Sequence, residues 1–226
     1  MLILGIDTSG KSGGVTLAEA ARAEFRVLGS SPIAGGTFSA QLVPTVAKLL
    51  DQKGLRVSAI GGFAVTSGPG SFTGLRVGLS AVKGLAEVLQ KPIVTVSLLE
   101  ALATFSTESG RVITALDAGR SEIFFGLYEV NNGKAERVSE QLVSGDEFVE
   151  QAKRPEVRLT LTSDTSIAEK LATVGCKLIL VQRPDSSVIA SIGASKLLAG
   201  DIISVEALDA NYLRRSDAEI FFKGNR

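Results

Sequence analysis

The feature that most constrains this chain is that one order of strands and helices is written twice along it. Leu2 to Thr8 alternates and favours extended backbone, which predicts a strand. Gly13 to Leu17 and Phe25 to Leu28 predict two more, joined by short turns. Ser39 to Asp51 reads as a helix, with Leu42, Val43, Val46, Leu49 and Leu50 recurring on one side. Pro44 near its first turn predicts either a kink or a later start. Strand Ile60 to Thr66, helix Phe72 to Leu89, strand Ile93 to Val96 and helix Leu98 to Phe105 complete the first half. The second half opens with strands Val112 to Leu116, Ile123 to Val130 and Val138 to Val143, with Asn131-Asn132-Gly133 as a turn. Helix Glu147 to Ala152, strand Val157 to Leu161, helix Ile167 to Val174, strand Leu178 to Val181 and helix Val188 to Leu198 follow.

Three opening strands, then strands alternating with helices, imply an α/β fold with a mixed sheet and helices on its faces. Two copies of βββαβαβα imply two pseudo-twofold lobes with a cleft between them. The first strand of each ends in an aspartate, Asp7 or Asp117, expected at that cleft. This is the topology of the actin and sugar-kinase-like (ASKHA) fold. The expected division is an N-terminal lobe over 1–106, a C-terminal lobe over 107–187, a helix around 188–200 packing back on the first lobe, and a tail over 201–226.

Composition narrows the chemistry. Apolar residues make up 45% and charged residues 21%, which excludes disorder as the main state. The 24 basic residues balance 24 acidic ones, so no global field draws the chain to nucleic acid or an anionic membrane. There is no histidine, which excludes a Ser-His-Asp triad, a Cys-His pair and a His-ligated zinc. The lone Cys176 cannot form an internal disulfide, fits a reducing, cytoplasmic compartment, and reads as a small buried apolar residue. Met1 to Asp7 has no basic region before its apolar residues, so it does not read as a signal peptide. No run approaches the ~18 apolar residues of a membrane helix, and no membrane partner is expected.

Ile6-Asp7-Thr8-Ser9-Gly10 admits three readings. It can be a phosphate-loop aspartate holding Mg²⁺ through water, one of two aspartic-protease loops, or a turn capped by Asp7 and Ser9. The protease reading needs a second loop, and Leu116-Asp117-Ala118-Gly119 lacks the threonine and lies in an α/β pattern. Asp7, Thr8, Ser9, Asp117 and Gly119 form the candidate remnant of a nucleotide phosphate loop, with the capped turn as the other reading. A kinase of this fold also needs glycine pairs late in the chain. The pairs here, Gly13-Gly14, Gly35-Gly36 and Gly61-Gly62, all lie in the first half, which argues against an independent kinase. A stand-alone hydrolase, glycoprotease-like peptidase or ATPase, using Asp7 and Asp117 stays open as the alternative.

Ser67-Gly68-Pro69-Gly70-Ser71-Phe72-Thr73-Gly74-Leu75-Arg76 is the most distinctive stretch: a strand end, a glycine-rich turn and a helix start. Ser71 is the expected N-cap, and such a start can seat a phosphate. Arg76, Ser80, Lys83, Glu87 and Gln90 form one narrow polar stripe, and apolar residues fill nearly everything else. A helix covering one sheet needs only an apolar stripe of roughly 100°, so a second face is expected to be buried. Gly74 and Gly78, with Ser71 and Val82, would let another helix come close. The alternative is a helix sandwiched within its own lobe.

From Gly68 to Gly78, and on to Lys91-Pro92-Ile93, the chain resembles the TsaB (YeaZ) family. Ile6-Asp7-Thr8-Ser9, Leu116 to Phe124 and Tyr212-Leu213-Arg214 agree with it. The resemblance implies a non-catalytic subunit for making threonylcarbamoyladenosine beside the anticodon of tRNAs that read codons starting with A. It implies pairing with TsaD, which carries the metal and ATP or ADP, with TsaE joining and TsaC making the threonylcarbamoyl-adenylate. It implies a homodimer in isolation, no cofactor, metal or catalytic residue of this chain's own, and only indirect tRNA contact. The partner face is expected to use Leu42, Val46, Leu49, Ser71, Phe72, Gly74, Leu75, Gly78, Leu79 and Val82. Leu98 and Leu102 stand where the resemblance puts two metal histidines of TsaD, so apolar packing is expected in place of a metal site. Phe38 and Ala40 replace a histidine and an acid common in relatives, and Ala210 replaces a proline. The tail mixes Arg214, Arg215, Lys223 and Arg226 with Asp217 and Glu219, and reads as solvated.

Overall fold

The computed structural model describes residues 1–22, 24–173 and 175–214. The first half supplies β1 (Leu2–Asp7), β2 (Ser12–Ala21), β3 (Glu24–Ala34), α1 (Phe38–Asp51), β4 (Gly62–Gly68), α2 (Phe72–Leu89), β5 (Ile93–Ser97) and α3 (Leu98–Ala103). The second supplies β6 (Gly110–Gly119), β7 (Glu122–Asn131), β8 (Lys134–Ser144), α4 (Gly145–Ala152), β9 (Val157–Thr162), α5 (Thr165–Ala172), β10 (Leu178–Leu180) and α6 (Ser186–Ala199). The repeat is real. The sheets run β3-β2-β1-β4-β5 and β8-β7-β6-β9-β10, the same order in each. In both, the hairpins are antiparallel and the strands reached through helices are parallel.

The chain divides into two compact units: Met1–Ala101 with Arg183–Ala210, and Leu102–Gln182 with the chain from Asn211. In the first, strand alternation sends residues to two helical layers. Leu4 and Ile6 of β1, with Phe63 and Val65 of β4, face Leu42, Val46 and Leu49 of α1 and Leu75, Leu79 and Val82 of α2. Ile3 and Ala64, with Val94 and Val96 of β5, face Ile189, Ala194 and Leu197 of α6. Asp185 caps α6, accepting from the N–H groups of Ser187 and Val188. Lys196 ties its far end to the Thr95 carbonyl and Glu100. In the second unit, Ile113, Ala115, Ile123 and Phe125 pack on Phe148 of α4 and on Ile167 and Leu171 of α5. Cys176 is half-buried at the edge of that core.

Three expectations need correction. The first helix starts at Phe38 and runs through Pro44. Ala40 and Pro44 both face out, so the carbonyl that Pro44 leaves without an N–H partner lies on the wet side of the helix. The first unit ends at Ala101 rather than 106, and residues 201–210 belong to it rather than to a tail. Ile203 bridges to Ile93, and Leu208 is buried in the α1–α2 core. Arg214 is likewise anchored, donating to the Gly119 carbonyl and pairing with Glu122. Arg215, Asp217, Glu219, Lys223 and Arg226 lie outside the described residues. Among the described residues no helix is long and apolar enough to cross a membrane.

Candidate functional site

The glycine-rich stretch after β4 and the turn after β1 meet in the first unit, because β4 pairs with β1 in parallel. Asp7 is only 2% exposed. Its Oδ1 accepts the Ser9 N–H at 2.9 Å and the Ser9 hydroxyl at 2.6 Å. The guanidinium of Arg183 donates to the same hydroxyl at 2.9 Å. Above the turn, the Ser71 N–H donates to the Ser9 carbonyl at 2.7 Å. Ser71 caps α2 as expected, accepting the Gly74 N–H at 3.2 Å.

The small residues of α2 face this turn. A Cβ on Gly70 would lie 2.3 Å from the Ser9 carbonyl oxygen, on Gly74 2.0 Å from that of Thr8, and on Gly78 2.3 Å from Thr8 Oγ1. Three bare positions therefore let α2 lie directly on Thr8 and Ser9. The expectation that Gly74 and Gly78 open a path for a foreign helix is corrected: their close neighbour is the chain's own turn. Leu42, Val46, Leu49, Leu75, Leu79 and Val82 are corrected with them. All six are buried in the first unit's core, because one face of α1 and of α2 must cover the sheet. Phe38, likewise buried, turns its ring toward Gly13 of β2.

What α1 and α2 leave outward is a different set. Val43, Thr73, Arg76, Val77 and Ala81 help line an open groove of about 480 Å³ between them, which the buried Phe38 and Leu42 also border. Val43 is 57% exposed there, and Val88, further along α2, is 81% exposed. Arg76 lies over the ring of the half-buried Phe72, 4.1 Å from its centroid. Gly84 is exposed with nothing near its would-be Cβ. The sequence carries only a weak signal for this face, a third glycine in a helix where glycine costs stability, and its open surroundings set it apart from Gly74 and Gly78 only in the structure.

The equivalent turn of the second unit is built differently. The Asp117 carboxylate accepts the Gly119 N–H at 2.7 Å, and the Asp117 N–H donates to Asp164 at 2.7 Å. Asp117 and Gly119 are exposed. Leu98 and Leu102 are both within α3 and completely buried.

The comparisons with known proteins fit this arrangement. The family model described as "TsaD: tRNA N6-adenosine threonylcarbamoyltransferase" matches residues 32–219. The tRNA threonylcarbamoyladenosine biosynthesis protein TsaB of Bacillus subtilis is 32% identical, over 97% of this chain and 96% of its own. The chain belongs to the TsaB (YeaZ) family. A solved structure, YeaZ from Pseudomonas aeruginosa, superposes with a TM-score of 0.73 at 26% identity, covering 93% of this chain and all of that one. The fold is thus the actin and sugar-kinase-like class, with TsaB/YeaZ members as its solved neighbours. A shorter stretch is similar to the tRNA N6-adenosine threonylcarbamoyltransferase of Anaeromyxobacter, 41% identical over 30% of this chain and 21% of that one.

Proposed function

We propose that this protein acts in the synthesis of threonylcarbamoyladenosine in tRNA, as a subunit that performs no chemistry itself. It pairs with TsaD through the outward faces of α1 and α2 and engages TsaE through that complex. TsaC supplies the threonylcarbamoyl-adenylate. ATP or ADP and the metal ion belong to TsaD, and tRNA is held through the complex. Without TsaD the same face pairs with a second copy.

Family membership supports the pathway. The observation that supports the subunit role is the outward side of α2, where Val77, Ala81, Gly84 and Val88 follow one another along the helix beside the groove. An apolar strip with a bare glycine suits close packing by another helix. The burial of Asp7 and its engagement with Ser9 weigh against the hydrolase alternative, which needs that carboxylate to reach a substrate.

Size-exclusion chromatography of the mixed proteins at micromolar concentration, with and without nucleotide and TsaE, tests the reading. Co-elution with TsaD is expected. Separate elution under every condition would remove the subunit role. ATP or peptide hydrolysis by the purified chain, lost in Asp7→Asn, would replace it with the hydrolase reading.

A further inference from the structure

We propose that Arg183 is the fixed counter-cation of the buried Asp7 carboxylate, acting through the Ser9 hydroxyl, and that this bridged pair positions the two helical layers of the first unit at the end of β1. The direction of each bond is forced by chemistry. A guanidinium can only donate, and an ionised carboxylate can only accept. Ser9 Oγ therefore gives its one proton to Asp7 at 2.6 Å and receives one from Arg183 at 2.9 Å. The hydroxyl sits polarised between a cation and an anion, which strengthens both bonds. Among the described residues Arg183 makes no direct ion pair with an acid, and Ser9 is its hydrogen-bond partner.

The surroundings make the pair consequential. A carboxylate as buried as Asp7 needs charge compensation as well as hydrogen bonds. The guanidinium lies against Gly10, where a Cβ would be 3.1 Å from Nε, and Nε itself is buried without an acceptor. Arg183 is thus held in place by the bare backbone of the turn as well as by Ser9. It is also the residue at which the chain re-enters the first unit, two positions before Asp185, the cap of α6. Ser9 reaches the other layer through its carbonyl, which accepts from the N-cap residue of α2. One residue thereby joins the segment leading into α6, through its side chain, to α2, through its backbone. Nothing in this depends on which partner α2 meets.

The test is a double-substitution cycle in the whole chain: Arg183→Ala, Asp7→Asn and both, read by urea unfolding and by amide hydrogen exchange. Arg183→Ala should lower the folding constant by about tenfold or more, since it leaves a buried charge uncompensated. Adding Asp7→Asn should recover most of that loss, a non-additivity of about tenfold. Exchange in Arg183→Ala should quicken at both the Ser71–Gly74 and the Ser187–Val188 amides. Additive effects would show that the two charges are not linked. Faster exchange confined to Ser187–Val188 would show that the pair does not reach α2. Ser9→Ala keeps both charges and removes the bridge, so it decides the matter should Arg183→Ala not fold. It is expected to quicken both sets of amides, and unchanged exchange at both would overturn the proposal.

Discussion

The hairpins that open the two sheets share a local design and differ in what lies over them. In each, an aspartate at or near the end of the first strand accepts the N–H two residues on: Ser9 to Asp7 and Gly119 to Asp117. Each aspartate lies beside the loop that follows the fourth strand, because that strand runs parallel to the first. In the first unit that loop is Gly68-Pro69-Gly70-Ser71, and the 18-residue α2 drops onto the turn. In the second it is Ser163-Asp164, and the 8-residue α5 follows. Asp164 reaches the Asp117 backbone from its side chain instead, and the turn stays open. Arg120 and Ser121, at its tip, both hold positive φ, 56° and 62°. The equivalent turn between β7 and β8 uses the cheaper pair Asn132-Gly133. Whether an aspartate at this position is buried is set by the residues that come after the fourth strand, not by the turn that carries it.

The largest expected effect comes from breaking that difference. Gly74→Val would drive a side chain into the Thr8 carbonyl, 2.0 Å from its Cβ, and should cost roughly 3 kcal/mol in urea unfolding. Gly119→Ala meets nothing within 4 Å and pays only for a residue at φ +69°, about 1 kcal/mol. Equal losses would mean that α2 is not seated on the turn. By the same logic Gly78→Leu would damage the fold before any interface, since its Cβ meets Thr8 Oγ1.

The inner and outer glycines of α2 sharpen the comparison further. Gly84→Ala should raise stability by about 0.5–1 kcal/mol, the ordinary gain at an open helix position. Gly84→Leu should fold as well as the parent chain and lose TsaD in the co-elution experiment. Retained binding would move the partner face off this side of α2. The smallest effect is a pH dependence at the start of α4 in the second unit. Glu147 accepts the Ser144 N–H while Ser144 Oγ accepts the Glu147 N–H, so the 8-residue α4 starts on a capping box, whereas the 14-residue α1 has no side-chain cap. The bonds from Ser144, backbone first and hydroxyl second, hold the Glu147 carboxyl below the usual glutamate range. A carboxyl lowered by folding stabilises above its unfolded pKa and loses that contribution as pH falls through its folded one. A carboxyl-carbon NMR titration should therefore show Glu147 protonating below ordinary glutamates, and moving only part of the way back up in Ser144→Ala, which removes the hydroxyl and keeps the backbone N–H. No change in Ser144→Ala would detach the shift from the hydroxyl and leave it to the Ser144 backbone N–H.

Much of the fold could be read before any coordinates, because it is carried by signals a few residues long. Strand alternation, the Ser71 cap and the Asn132-Gly133 turn are local, and each holds in the structure. The candidate site was less legible. Helical spacing puts Gly74 and Gly78 on one face with Leu75, Leu79 and Val82, but both sides of α2 are rich in small and apolar residues. Periodicity alone cannot say which side meets the chain's own sheet. It chose the inner side for the partner, and the burial of those residues reverses the choice. Pro44 misled in a similar way: the penalty for proline in a helix is real, and placing it on the wet face reduces it.

By itself the sequence determined the duplicated order of elements, the closing of its local turns and caps, and the loss of any histidine chemistry. Those follow from backbone preference and residue inventory, which need no knowledge of distant neighbours. Only the tertiary structure decided that Asp7 is buried while Asp117 is exposed, and that Arg183 reaches Ser9 across 174 positions of chain. Both depend on which surfaces the parallel strands bring together, and that is settled by packing across the sheet, where no short stretch of sequence carries the instruction.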